Sequence, residues 1–211
     1  MGWNILAVTR FGQGVILWLG LMTLGAADES KKPFLWKEPR VGAGAFSDAL
    51  GMLDREREEY ATNLAVHAIN EVSKAKASAA SLEKARRLLA LSLHLSARNR
   101  RALVANYQLN RGMVPEPVES DYSEEVLARL LFTRSQLLRQ QGGVEDQQLA
   151  RIFVELAAEL DPKNEDAVYA SEIQRLDHGR VDWKLLTDVK SPLGQVRPDD
   201  ADEPAVADEL P

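Results

Sequence analysis

Residues 85–105 and 150–170 of this chain follow one plan, 65 residues apart. Ala85-Arg86 matches Ala150-Arg151, Leu91 and Leu95 match Leu156 and Leu160, and Asn99, Ala102 and Ala105 match Asn164, Ala167 and Ala170. Apolar character is kept at Leu88/Phe153, Leu89/Val154 and Leu103/Val168. In each copy an apolar helical stretch ends, a short corner follows, and a second helical stretch begins. The second corner reads Asp161-Pro162-Lys163-Asn164. Its proline cannot continue the first helix, and its asparagine can cap the next. A helix–corner–helix unit cannot bury its apolar face alone, so a series of such units has to stack. The expectation is an all-α protein of antiparallel hairpins with a continuous core.

The helical period holds from Phe46 onward. Leu50, Leu53, Tyr60, Leu64, Ala68 and Val72 form one apolar stripe, with Asp54, Arg55, Glu56 and Arg57 around it. Ser81 is placed to cap a helix from Leu82 to about Leu95. A further helix from Arg100 to about Arg111 stops at Gly112. Met113–Asp121 reads as a linker stiffened by Pro115 and Pro117. Ser123 then caps a helix whose first turn carries Glu124 and Glu125, suited to the helix dipole, and which ends at Gly142-Gly143. Helices from Asp146 to Leu160 and from Glu165 to about Asp177 complete about six, joined mostly by short turns.

The stretch LAAELDPKNEDAVYA, Leu156–Ala170, resembles the second-helix ending and corner of the tetratricopeptide family. Leu160-Asp161-Pro162-Lys163-Asn164 and Ala167 carry the likeness, and a shift of 65 is close to twice the family's 34-residue period. The resemblance covers roughly Tyr60–Gly179. It departs from the family at Ala97, where a proline is expected, and at Tyr107 and Glu172, where the first helix prefers a small residue. The segment MVPEPVESD also breaks the spacing. The resemblance implies a short TPR-like α-solenoid of three degenerate hairpins that binds a protein or peptide on a curved surface. It also implies that Arg101, Val104, Gln108, Tyr169 and Ile173 line that surface. The alternative is an irregular helical bundle in which Val104 and Ile173 are core and Arg101 is simply solvated.

The chain opens with Arg10, a compact apolar run from Gly14 to Leu24, and then Gly25-Ala26-Ala27 before the first acids. These are the parts of a secretory signal, with cleavage expected after Ala27. The export reading places the mature chain in the periplasm or outside the cell; the alternative is an uncleaved membrane anchor. Residues 28–45 read as an extended lead-in, with Phe34, Leu35 and Trp36 docked on the body or covering a helix end. Residues 46–180 form the helical domain. Residues 181–211 hold a capping segment with Trp183, Leu185 and Leu186, followed by a tail with six acids and no base after Arg197. That tail is expected to be disordered and solvating, with docking to a basic partner as the alternative. Trp183 either folds back as a cap or anchors a partner.

The formal net charge is −6, which argues against a nucleic-acid partner because phosphates must be neutralised by Lys and Arg. With no cysteine, disulfides, thiolate chemistry and Cys-type zinc sites are absent. His67, His94 and His178 have no metal-ligand spacing, so structural roles are expected for them. No nucleophile elbow or phosphate-cradling loop occurs, and the carboxylates lie in solvated runs. The sequence therefore points to no catalytic residue, cofactor or metal. The expectation is an exported, non-enzymatic interaction adaptor or scaffold of the cell envelope. The alternative is a membrane-tethered structural protein that self-assembles or joins a membrane complex.

Overall fold

The computed structural model describes residues 34–42 and 44–189. The expected signal segment, residues 1–27, and the acidic tail lie outside the described residues. So do the start of the lead-in and Ala43.

The described residues form seven helices and no strand: α1 (Asp54–Lys74), α2 (Ala79–Leu95), α3 (Arg100–Asn110), α4 (Glu124–Gln141), α5 (Val144–Leu160), α6 (Glu165–His178) and the short α7 (Lys184–Thr187). The all-α expectation holds. The most extensive packing is of α1 on α2 and of α4 on α5. Their two- to four-residue turns make each pair antiparallel. α3 follows the first pair as a third helix, packed on α1 and α2, and α6 follows the second, packed on α5. Three successive hairpins would require α3 to pair with α4. The linker from Gly112 to Asp121 intervenes, and α4 packs on α5 instead.

The two corners are built alike. Asn99 accepts from the Ala102 N–H at 3.0 Å, and Asn164 accepts from the Ala167 N–H at 3.1 Å. At the preceding helix ends, Ser96 N–H donates to the Ser92 carbonyl and Asp161 N–H to the Ala157 carbonyl, each at about the ideal length. Asn99 does more than cap: its amide also donates to Glu58 at 2.9 Å and to Thr62 at 2.8 Å on α1. The two caps should therefore differ. Asn164→Ala is expected to cost about 1 kcal/mol, as an ordinary lost cap. Asn99→Ala is expected to cost about 2 kcal/mol, because a partly buried network goes with it. Paired urea melts of the two variants check this.

The structure departs from the sequence reading at three helix starts. The first helix starts at Asp54, not Phe46. Residues 46–53 form turns that α5 and α4 hold: Ser47 N–H and hydroxyl donate to Glu145, Gly51 N–H donates to Asp146, and Arg134 donates to the Gly51 carbonyl. Phe46, Leu50 and Met52 are buried by this turn rather than by a helical stripe. The second helix is capped by Ser78, which accepts from Ser81 N–H, so it begins one turn early. α5 starts at Val144 behind Gly143. Gly112 and Gly142 do stop α3 and α4, both with positive φ, as the sequence suggested. Lys76 and Ala77 also take left-handed φ, in the α1–α2 turn. For L side chains this costs roughly 1–2 kcal/mol each.

The core runs through the whole described body. Tyr60 of α1 and Phe153 of α5 pack with ring centroids 5.2 Å apart. The Tyr60 hydroxyl donates to the Leu130 carbonyl of α4. Burial, then Glu56, pushes the Tyr60 phenol up to about 12, so it stays protonated and able to donate.

α2 is the central helix. Leu82, Ala85, Arg86 and every residue from Leu88 to Leu95 are buried. A helix covered all round needs layers on every side. The lead-in and the C-terminal segment supply one of them. Arg40 and Asp188 form an isolated parallel bridge. Arg40 N–H donates to the Thr187 carbonyl at 2.8 Å, and Val189 N–H donates to the Arg40 carbonyl at 3.0 Å. Phe34 and Trp36 rest half-buried against the core, while Leu35 is exposed.

Candidate functional site

Two polar side chains of α2 fasten these segments. Arg86, buried, donates to the Lys37 carbonyl at 3.0 Å, the Thr187 carbonyl at 2.9 Å and the Asp188 carboxylate at 2.8 Å. Its guanidinium holds the Asp188 carboxyl well below the usual carboxylate range, helped by Thr187 and Lys37. One residue from the end of α2, His94 Nδ1 accepts from Ala45 N–H at 2.8 Å, and Nε2 lies 2.8 Å from the Leu186 carbonyl. That pairing assigns the proton to Nε2 and makes the ring neutral.

Burial lowers the His94 pKa, and also that of His67. The sign follows. The unfolded chain takes up protons near pH 6.5 while the folded one resists them. The contribution is therefore complete above that pH and lost as pH falls below it. Urea midpoints at pH 7.5 and 5 should show a loss on acidification. The loss should shrink, but not vanish, in His94→Gln, because His67 still titrates.

These fastenings are structural. Exposed apolar side chains recur at successive turns on α3 and α6. Each buries one side only: Ala102, Ala105, Asn106 and Leu109 on α3, and Ala167 and Gln174 on α6. At 100° per residue the opposite side of α3 carries Arg100, Leu103, Val104, Tyr107 and Arg111. Leu103 and Val104 are 47% exposed and Tyr107 57%. The Arg111 guanidinium lies 5.1 Å from the Tyr107 ring centroid. The opposite side of α6 carries Tyr169, Ile173 and Leu176, exposed 70%, 39% and 72%.

The candidate residues thus fall into two sets. Arg101, Val104 and Gln108 lie on α3, with Arg101 and Val104 exposed and Gln108 half-buried. Tyr169 and Ile173 share one exposed face of α6. Each helix packs within its own three-helix group, so the structure does not gather the five residues on one helix pair. Leu103, Tyr107 and Leu176 extend these faces. The sequence reading took Leu103 only as part of the repeat and Tyr107 only as a departure from the family pattern, and it did not single out Leu176; their helical spacing alone would have included all three.

Trp183 folds back. Its Nε1 donates to Glu155 at 2.8 Å, and the other oxygen of that carboxylate accepts from Val181 N–H. The Arg87 guanidinium lies 5.1 Å from its ring centroid. The half-buried indole walls a groove of about 470 Å³, shared with Arg87, Glu159, Val168, Glu172 and Arg175. The charges there are largely engaged: Arg87 pairs with Glu159 and Arg175 with Glu172. Among the described residues no cluster of three or more His, Asp or Glu side chains has the arrangement of a metal site. His67 is buried in α1, and the exposed His178 ends α6, where its carbonyl accepts from Arg151.

No protein-family model matches this sequence, and comparison with curated proteins and with solved structures gave no match.

Proposed function

We propose that this chain is an exported, non-enzymatic adaptor or scaffold of the periplasm or cell envelope, built on TPR-like hairpins. It holds a protein or peptide partner on the outer faces of α3 and α6. The observation that carries the reading is the one-sided burial of these two helices, which leaves aromatic and aliphatic side chains exposed at successive turns. Exposed aromatic anchors beside arginines are the usual makings of a binding surface. Residues 1–27 act as the export signal. A membrane-tethered structural role is the second reading. It is compatible with a body in which, among the described residues, no helix is long and apolar enough to cross a membrane, since the tether would be the N-terminal segment.

A photo-crosslinking side chain placed at Tyr169 or Val104 tests the function in the native host. A discrete adduct at these positions, absent at the exposed linker position Glu116, is the expected outcome. Equal, diffuse labelling at all three positions would remove the adaptor reading. The intact mass of the purified protein separates the two locations: loss of residues 1–27 in a soluble envelope fraction supports the adaptor, and a full-length chain confined to membranes supports the tethered form.

A further inference from the structure

The outer faces of α3 and α6 carry opposite charge at matching positions. Arg100 and Arg101 open α3 where Glu165 and Asp166 open α6, each pair 65 residues apart. From Arg98 to Arg111 the chain has four arginines and no acid. From Glu165 to Asp177 it has four acids and one base, Arg175, which is paired with Glu172. All four arginines and all four acids are exposed. Among the described residues, neither the α3 arginines nor Glu165, Asp166 and Asp177 take part in an ion pair. Between these charges lie Leu103, Val104 and Tyr107 on one helix and Tyr169, Ile173 and Leu176 on the other.

We propose that the α3 face of one copy docks on the α6 face of another, head to tail. The inference rests on the reading of these helices as interaction faces and names their partner as the same chain. Apolar side chains meet across the contact, and arginines meet carboxylates around it. Pairing like with like, α3 on α3 or α6 on α6, would set arginine against arginine or acid against acid, which disfavours a two-fold dimer. The contact joins two different surfaces, and each copy carries one of each. Assembly therefore grows into a chain or closes into a ring. Because the charges are exposed, salt weakens the contact.

The cysteine-free sequence makes a clean test possible. Full-length Val104→Cys and Tyr169→Cys chains, purified separately in mild detergent, are mixed at low salt under gentle oxidation. Both positions are exposed, so neither change disturbs the core. The mixed 104–169 product should exceed the 104–104 and 169–169 products by roughly tenfold, the ratio expected when like charges replace opposite ones. Adding Arg100→Glu and Arg101→Glu to the first chain should abolish that excess. Adding Glu165→Lys and Asp166→Lys to the second should restore it. Predominance of either like-with-like product overturns the proposal, as does the absence of cross-linking. If the two positions cross-link to a different protein in the native host while copies stay unlinked, the proposal fails and the adaptor function stands.

Discussion

Phe153→Ala is expected to destabilise the fold by about 4 kcal/mol. The ring is fully buried and packs against Tyr60, so its removal opens a cavity between α5 and α1. Three elements meet there, because the Tyr60 hydroxyl is also bonded to the Leu130 carbonyl of α4. The surroundings are held on several sides and cannot collapse easily, which places the cost in the upper range for such truncations. Urea denaturation should give a lower midpoint with an unchanged slope. Phe153→Leu, which keeps most of the volume, should cost about 1.5 kcal/mol or less. Tyr169→Ala, on the exposed face of α6, should stay within about 0.5 kcal/mol. If Phe153→Ala proved as mild as Tyr169→Ala, the packing of α1 against α5 would be wrong.

Arg86→Met is expected to cost about 3 kcal/mol, the low end for breaking a buried pair, since Asp188 is partly exposed and can hydrate. The methionine fills the space of the stem but leaves the Lys37 and Thr187 carbonyls without their charged donor. The variant also has a pH signature. With Arg86 present, the Asp188 carboxyl is held low, so its contribution is full above about pH 4 and is lost as pH falls from there toward the lowered folded value. In Arg86→Met the Asp188 carboxyl should move back toward its ordinary range, and the acid-side loss of stability should become shallower. Acid titration of the urea midpoint in both proteins checks this. Limited proteolysis should show faster cleavage within residues 34–45 and 180–189 in the variant, because Arg86 joins both segments to α2.

The sequence was a good guide to what neighbouring residues settle among themselves. Asn164 read as a cap and is one, and Asn99, its match 65 residues earlier, is one too, because a short side chain three residues before a backbone N–H reaches it whatever lies further away. Gly112 and Gly142 read as stops for the same kind of reason. The stripe through Leu50 misled where a tertiary contact took over: Glu145 and Asp146 bind Ser47 and Gly51 across 98 and 95 residues, and residues 46–53 turn instead of winding. α7 is a single turn, too short to leave a period. The open faces of α3 and α6 were half legible. Helical spacing places Val104 and Tyr169 opposite their helices' buried sides, but nothing in the pattern says that no further helix covers them.

By itself the sequence determined an all-α chain, most helix limits to within a turn and the cap at Asn164, since these rest on contacts between residues at most a few places apart. It also placed α2, whose start it set one turn late. What surrounds that helix was decided by tertiary structure alone. Arg86 finds its partners 49, 101 and 102 residues away, and His94 finds its own 49 and 92 residues away. Loop closure over such distances leaves no local trace, because any buried carbonyl could have met the same donors. The same packing selects which helical faces are covered and which stay open.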